Sequence, residues 1–352
     1  MKIEISPIIR FLVVSATIGV LLLTMKFGAT IVNTFIMALV ITICAVPLQE
    51  RIRRRERPIW QALLISALAV FLVVGGTVIF LIFSMGRLLQ ALPTYSASMQ
   101  ERMVPVTDAL TAAGVPALSE IIQPISFLES VANFVIGTAG NIFVVGFMLV
   151  MVIFMLLEAF YLPGKALQEM SSGSTFLKGI RTYSIEVRKY VYITAQAGAL
   201  AGALDAVFLL ILGVDFAILW GVLAALLSFI PSIGFIFSLI PPMILAFAQY
   251  GWEAALVVLL GYWIINGTVD NIIKPRFIGE GLNLSTLVVF LSVFLWGWVL
   301  GPIGGLLSVP ITMMFKTLVL DSHDNTRWLS NMMKTGENLT DKTASESEGQ
   351  AK

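Results

Sequence analysis

"IPSIGFIFSLIPP", Ile230 to Pro242, is apolar at nearly every position and yet holds three prolines and a glycine. Apolarity of that density belongs at membrane depth. Proline removes a backbone donor and clashes with the helical turn before it. In lipid, every backbone N–H and C=O must find its partner inside the protein. A chain broken at that depth survives only where it is buried in protein or lines a wet cavity. This stretch therefore predicts either a helical hairpin beside a solute path or a plain turn between two thin spans.

The surroundings of the stretch fix the class. The chain has 352 residues, of which 58% are hydrophobic and 12% charged, with a mean hydropathy of +0.94. Soluble domains carry about twice that share of charge. Apolar runs recur at lengths near the ~20 residues that cross the hydrocarbon as a helix. The expected fold is all-α, a polytopic transmembrane helix bundle with Pro/Gly-broken hairpins in its C-terminal half. Spans are expected near residues 8–25, 29–47, 59–85, 131–157, 190–212 and 252–268. Two pairs of short pieces, 216–230 with 235–248 and 286–299 with 303–320, are joined by "PSIG" and "LGPIGG". Counting each pair as crossing or re-entrant gives between about six and ten crossings, with about eight the central expectation. Every choice leaves both termini on one side.

Five units follow: residues 1–85 with three spans and a basic loop; 86–130 as an external amphipathic segment; 131–189; a path-forming half at 190–320; and a disordered polar tail at 321–352. The apolar residues Leu110, Leu118, Ile121, Ile122 and Ile125 recur at helical spacing in the external segment. The loop "QERIRRRERP" carries five arginines. With that loop in the cytoplasm, all of the 22 Lys and Arg except Lys26, Arg87 and Arg102 fall inside. This positive-inside bias places both termini in the cytoplasm. Trp296 and Trp298 then fall at the outer interface, where indoles prefer to sit.

Composition also excludes functions. The net charge of +1 offers no field for nucleic acid. The lone Cys44 and lone His323 cannot form a disulfide, a metal site or a nucleophile pair, and no cofactor or metal is expected. No H-E-x-x-H, no base near a membrane serine and no P-loop occur. An enzyme is not expected. A non-transporting scaffold is excluded less well.

Asp205 is the sharpest single residue, mid-span in "GALAGALDAVFLLILGV". A charge at the bilayer centre costs at least about 2.5–3.5 kcal/mol, so such a side chain faces protein or water. It either carries a proton or cation, or holds helices together. Gly198 and Gly202 in the same run form a G-x-x-x-G, the spacing of closely packed helices. Asn33 and Asn266 read as helix glue. The breaks at Pro231–Gly234 and Pro241–Pro242, and the second break at Gly301, Pro302 and Gly304, are candidates for the path lining. Asp270 and Lys274 form an i, i+4 pair if the helix continues, and Pro275 ends it.

"FIPSIGFIFSLIPP" and "VDNIIKPRFIGEGLNLSTLVVFLSVFLWGWVLGPIGGLLSVPI" resemble the signature of the AI-2E family, also described as autoinducer-2 exporter-like permeases. The likeness covers most of the chain. Around the first break the family often has a P-Y-x-G-P pattern, where this chain has Ser232 and Phe235. The resemblance implies a multi-pass, homo-oligomeric protein of the plasma (inner) membrane that exports a small molecule or ion. Members are linked to a signalling furanone or to sodium(lithium)/proton exchange. It also makes the loop with Asp270, Asn271, Lys274, Pro275, Arg276 and Gly279 a candidate gate or coupling element. The expected function is a secondary, ion-coupled permease, with a sodium(lithium)/proton antiporter, a passive facilitator or a non-transporting membrane scaffold as the alternatives. Its expected partners are the solute, the lipid bilayer and further copies of itself.

Overall fold

A computed structural model describes residues 7–54, 58–112, 124–170, 175–231, 233–274, 284–322 and 326–333. Among these there are helices and turns and no strands. The helices are α1 (Pro7–Phe27), α2 (Ala29–Arg53), α3 (Ile59–Val70), α4 (Gly76–Ala112), α5 (Pro124–Ala139), α6 (Ile142–Met170) and α7 (Thr175–Leu212). They continue as α8 (Ala217–Leu227), α9 (Gly234–Tyr250), α10 (Trp252–Thr268), α11 (Thr286–Leu300), α12 (Pro302–Leu306), α13 (Ser308–Phe315) and α14 (Arg327–Met332). Wide π-type turns at Phe71–Gly75, Val269–Ile273 and Lys316–Leu320 extend α3 into α4, α10 and α13.

The surface is apolar where a soluble protein would be polar. Phe143 is 87% exposed, Ile211 79% and Leu72 62%. Among the described residues, five helices are long and apolar enough to cross a membrane. With the buried cores below, the chain is a membrane helix bundle. One core gathers Met85, Leu88, Leu209, Trp220, Leu245 and Tyr262 from α4, α7, α8, α9 and α10. A second gathers Ile36, Val40, Val187, Trp296, Val299 and Ile311 from α2, α7, α11 and α13. The long helix α7 belongs to both, and the two broken hairpins lie one in each.

Each hairpin is closed by backbone contact. In the first, α8 and α9 meet at a turn through Pro231, and a Cβ on Gly234 would overlap the carbonyl of Leu227. In the second, Gly301 takes φ +75°, a conformation that favours glycine. Pro302 then starts α12 at its first position, and a Cβ on Gly304 would overlap the carbonyl of Trp296. The G-x-x-x-G does pack helices: Gly198 meets the Ala225 carbonyl and Ser228, and Gly202 meets Gly221, all on α8 and its end. Gly198 lies about four turns, or about 21 Å, along α7 from Leu212. The end of α8 thus packs on α7 about four turns from the Gly213 turn that leads into α8.

Proline breaks the ladder less than expected. Pro241 and Pro242 lie inside α9, which runs on unbroken to Tyr250, so only the Pro231–Gly234 turn interrupts this region. Pro93 and Pro105 likewise lie within α4. In α2, Pro47 leaves the carbonyl of Ile43 without its intrahelical donor, and Arg188 Nε on α7 donates to it at 3.1 Å. Two further bonds close helix ends. Asn33 Nδ2 donates to the terminal carbonyl of α11, Leu300 O, at 2.9 Å, and Tyr190 OH donates to Phe229 O at the first hairpin tip at 3.1 Å.

Other expectations are corrected here. Trp296 is not an interfacial indole: it is 8% exposed and donates from Nε1 to Thr312 Oγ1 at 2.9 Å. Trp298 does face outward, with Lys26 Nζ 4.3 Å from the ring centre. The polar tail is not wholly unstructured. Residues 326–333 include α14, Ser330 is buried and donates to Asp321 Oδ1 at 2.5 Å, and Ser285 N donates to Met333 O at 2.8 Å. Leu118, Ile121 and Ile122 lie outside the described residues.

Candidate functional site

The apolar run of α7 carries one carboxylate, and the bundle hides it completely: Asp205 is 0% exposed. What brings a partner to it is a gap in α10. Gly261 has no side chain, and the ring of Phe208, one turn along α7 from Asp205, fills the space a Cβ would take. The close approach sets Asn266, further along α10, opposite Asp205. Asn266 Nδ2 lies 3.3 Å from Oδ1 and 3.1 Å from Oδ2, and 3.1 Å from its own helix's Tyr262 O. Among the described residues, no Lys or Arg pairs with this carboxylate. The Tyr262 hydroxyl is buried and has no partner.

A single neutral amide is a weak match for a buried charge, because desolvation of a carboxylate is offset only by a counter-ion or several donors. The arrangement suits a carboxyl group that takes up and gives back a cation. Its neighbours on α7 leave it near the contact with α8, where Ala206 packs on Gly221.

The remaining candidates do not converge on Asp205. Gly198, which meets Ser228 just before the Pro231–Gly234 turn, lies about two turns or about 10 Å along α7 from Asp205. Gly234 and Pro241 are buried inside the first hairpin. Gly301, Pro302 and Gly304 form the tip of the second hairpin, on the other core. Asp270 and Asn271 are exposed on the wide turn after α10. Asp270 pairs with Lys274 at 3.3 Å, and Asn271 Nδ2 donates to Gly267 O at 2.9 Å. Pro275, Arg276 and Gly279 lie outside the described residues.

Sequence reasoning gave Asn266 the part of helix glue without joining it to Asp205. Polar residues in two otherwise apolar runs were the available signal. It passed over a second polar knot at the opposite end of the first hairpin. There Tyr95 OH donates to Asp215 Oδ2 at 2.5 Å, and Gln249 also bonds Asp215. Arg102 Nη2 donates to Gln249 O at 2.9 Å. Tyr250 OH donates to Gly213 O at 2.8 Å. These bonds tie α4 beyond its apolar part to both outer ends of the α8–α9 hairpin.

A family model described as AI-2E family transporter matches residues 12–323. The AI-2 transport protein TqsA of Escherichia coli (strain K12) is 32% identical over 314 residues, covering 88% of this chain and 91% of that one. A candidate transport protein of Haemophilus influenzae is 32% identical over 332 residues, covering 90% and 94%. YhhT, a candidate transport protein of Escherichia coli (strain K12), is 29% identical over 307 residues, covering 86% and 87%.

Proposed function

This chain belongs to the AI-2E transporter family, and on that footing we propose that it exports a small autoinducer-2-like solute by coupling its movement to an ion at Asp205. Membrane transport is the family's activity. The solute class is taken from the name of TqsA, and the direction from the resemblance alone. The observation that carries ion coupling is the fully buried Asp205 carboxylate with one neutral amide as its partner. A group so placed costs the bundle stability in its charged form. Cyclic neutralisation by a proton or a sodium ion gives that cost a use. We place the protein in the plasma membrane with both termini in the cytoplasm, as a homo-oligomer.

The test uses purified protein in liposomes loaded with a pH-sensitive dye. The vesicles are challenged with sodium, lithium and autoinducer-2 in turn, beside Asp205→Asn. Proton movement that requires one of these solutes and is lost in Asp205→Asn is the expected result. Coupling that persists in the variant overturns the assignment to Asp205. Solute movement without protons, equal in both proteins, means a passive facilitator and leaves Asp205 as helix glue.

A further inference from the structure

The Asp205 carboxylate has two oxygens, and one nitrogen stands between them. Asn266 Nδ2 lies 3.3 Å from Oδ1 and 3.1 Å from Oδ2, so it occupies the fork where a cation held by both oxygens would sit. The amide is fixed in that orientation. The same Nδ2 lies 3.1 Å from Tyr262 O, and turning the group over would set Asn266 Oδ1 against that carbonyl and against the carboxylate together. Both residues are more than nine-tenths buried.

Among the described residues, the other walls bring at most one further side-chain oxygen towards Asp205, the buried hydroxyl of Tyr262. One turn to either side on α7 stand Ala201, Gly202, Phe208 and Leu209. Across the Gly202–Gly221 contact, α8 reads "AILWGVLAALL", with no oxygen and no titratable group in any side chain. The titratable residues of α10 are Tyr262 and Glu253, and Glu253 lies in its first turn, at the far end from Asn266. Beyond α10, Asp270 is exposed and pairs with Lys274. Backbone carbonyls within α7, α8 and α10 are committed to their own ladders. A sodium ion that enters without its water must be given several oxygens in exchange. A proton needs one lone pair, and the neutral carboxyl still accepts from Asn266 through its other oxygen.

We propose that Asn266 is the residue that makes Asp205 a site for protons and closes it to sodium and lithium. The nitrogen that steadies the carboxylate is also the group that keeps a larger cation out of its fork. The inference rests on the coupling role proposed above for Asp205 and narrows it. Sodium/proton exchange through one carboxylate requires both ions to compete for it, and here only the proton has a place.

The experiment records infrared difference spectra of the purified full chain in nanodiscs as pH is stepped, with sodium or lithium exchanged for choline at constant ionic strength. The C=O stretch of a protonated carboxylic acid is the readout, assigned to Asp205 by its loss in Asp205→Asn. In the wild-type protein its titration midpoint is expected not to move with sodium or lithium. A competing ion above its Kd would lower the midpoint by about one pH unit for each tenfold rise in concentration. Asn266→Asp puts oxygens where the nitrogen stands, and Asn266→Ser leaves a hydroxyl and room. In both variants the midpoint should come to fall with sodium, by up to that amount. A sodium-dependent midpoint in the wild type overturns the proposal. So does a band untouched by Asp205→Asn, or midpoints indifferent to sodium in both Asn266 variants. Flux in the dye-loaded liposomes keeps the two readings apart. If coupling survives Asp205→Asn while the wild-type band ignores sodium, the coupling assignment falls and the selectivity stands. If coupling needs Asp205 but sodium moves the band, the coupled transporter stands and the selectivity falls.

Discussion

Arg188→Met tests the account of how this bundle tolerates proline inside a helix. Pro47 deprives Ile43 O of its helical donor, and the Arg188 guanidinium replaces that donor from α7 at 3.1 Å. Methionine keeps most of the apolar stem and removes the donor. A lost charged hydrogen bond to a buried carbonyl costs about 1.5–3 kcal/mol in general. Arg188 is only half-buried, and interhelical bonds in membrane proteins average about 0.6 and reach about 1.7 kcal/mol. The expected cost is therefore about 1 kcal/mol. The informative arm is Pro47→Ala, which restores an N–H to the Ile43 carbonyl. In that background Arg188→Met should cost only its packing, so the double-mutant cycle should yield a coupling of about 1 kcal/mol. Reversible unfolding of the four proteins in mixed micelles measures it. Equal costs of Arg188→Met in both backgrounds would refute the idea that the arginine serves the proline.

Gly234→Ala forces a Cβ into the Leu227 carbonyl, and backbone cannot step aside as a side chain can. It is expected to destabilise by on the order of 2–4 kcal/mol, read as a lower Tm and a loss of monodisperse protein. A wild-type Tm would mean the tip of the first hairpin is looser than its geometry. Gly202→Leu should separate α7 from α8 in the same way, measured by cross-linking between cysteines placed on the two helices; undiminished cross-linking would sink that reading. Asp205→Glu keeps a carboxyl but crowds Asn266, so ion coupling should survive at a reduced rate, checked in the dye-loaded liposomes. Complete loss of coupling would show that position matters as much as charge.

The class of fold was legible because lipid imposes it. Long apolar runs can only be helices there, and the positions of Gly198, Gly202, Gly234 and Gly301 marked close approach and turning without any knowledge of what they approach. The same logic misplaced Pro241 and Pro242, because proline forbids a donor without dictating a bend, and neighbouring elements decide whether the helix goes on. Trp296 was misassigned since an indole suits an interface and a buried hydroxyl partner equally well; only the fold brings Thr312 to it. Asp205 stood out in sequence as a carboxylate in an apolar run. Its partner did not, since Asn266 is 61 residues away on a helix whose approach depends on the empty place at Gly261.

The ammonium of Lys26 over the face of Trp298 gives the protein an optical use beyond its packing. A cation fixed against an indole alters the energy and lifetime of its excited state. Trp298 sits three residues from the bend at Gly301, while Lys26 belongs to the first helix. With the other six tryptophans replaced, the colour of this one ring becomes a gauge of the distance between the end of α1 and the tip of the second hairpin. It needs no attached dye, and it reads that distance while solute and ion are added.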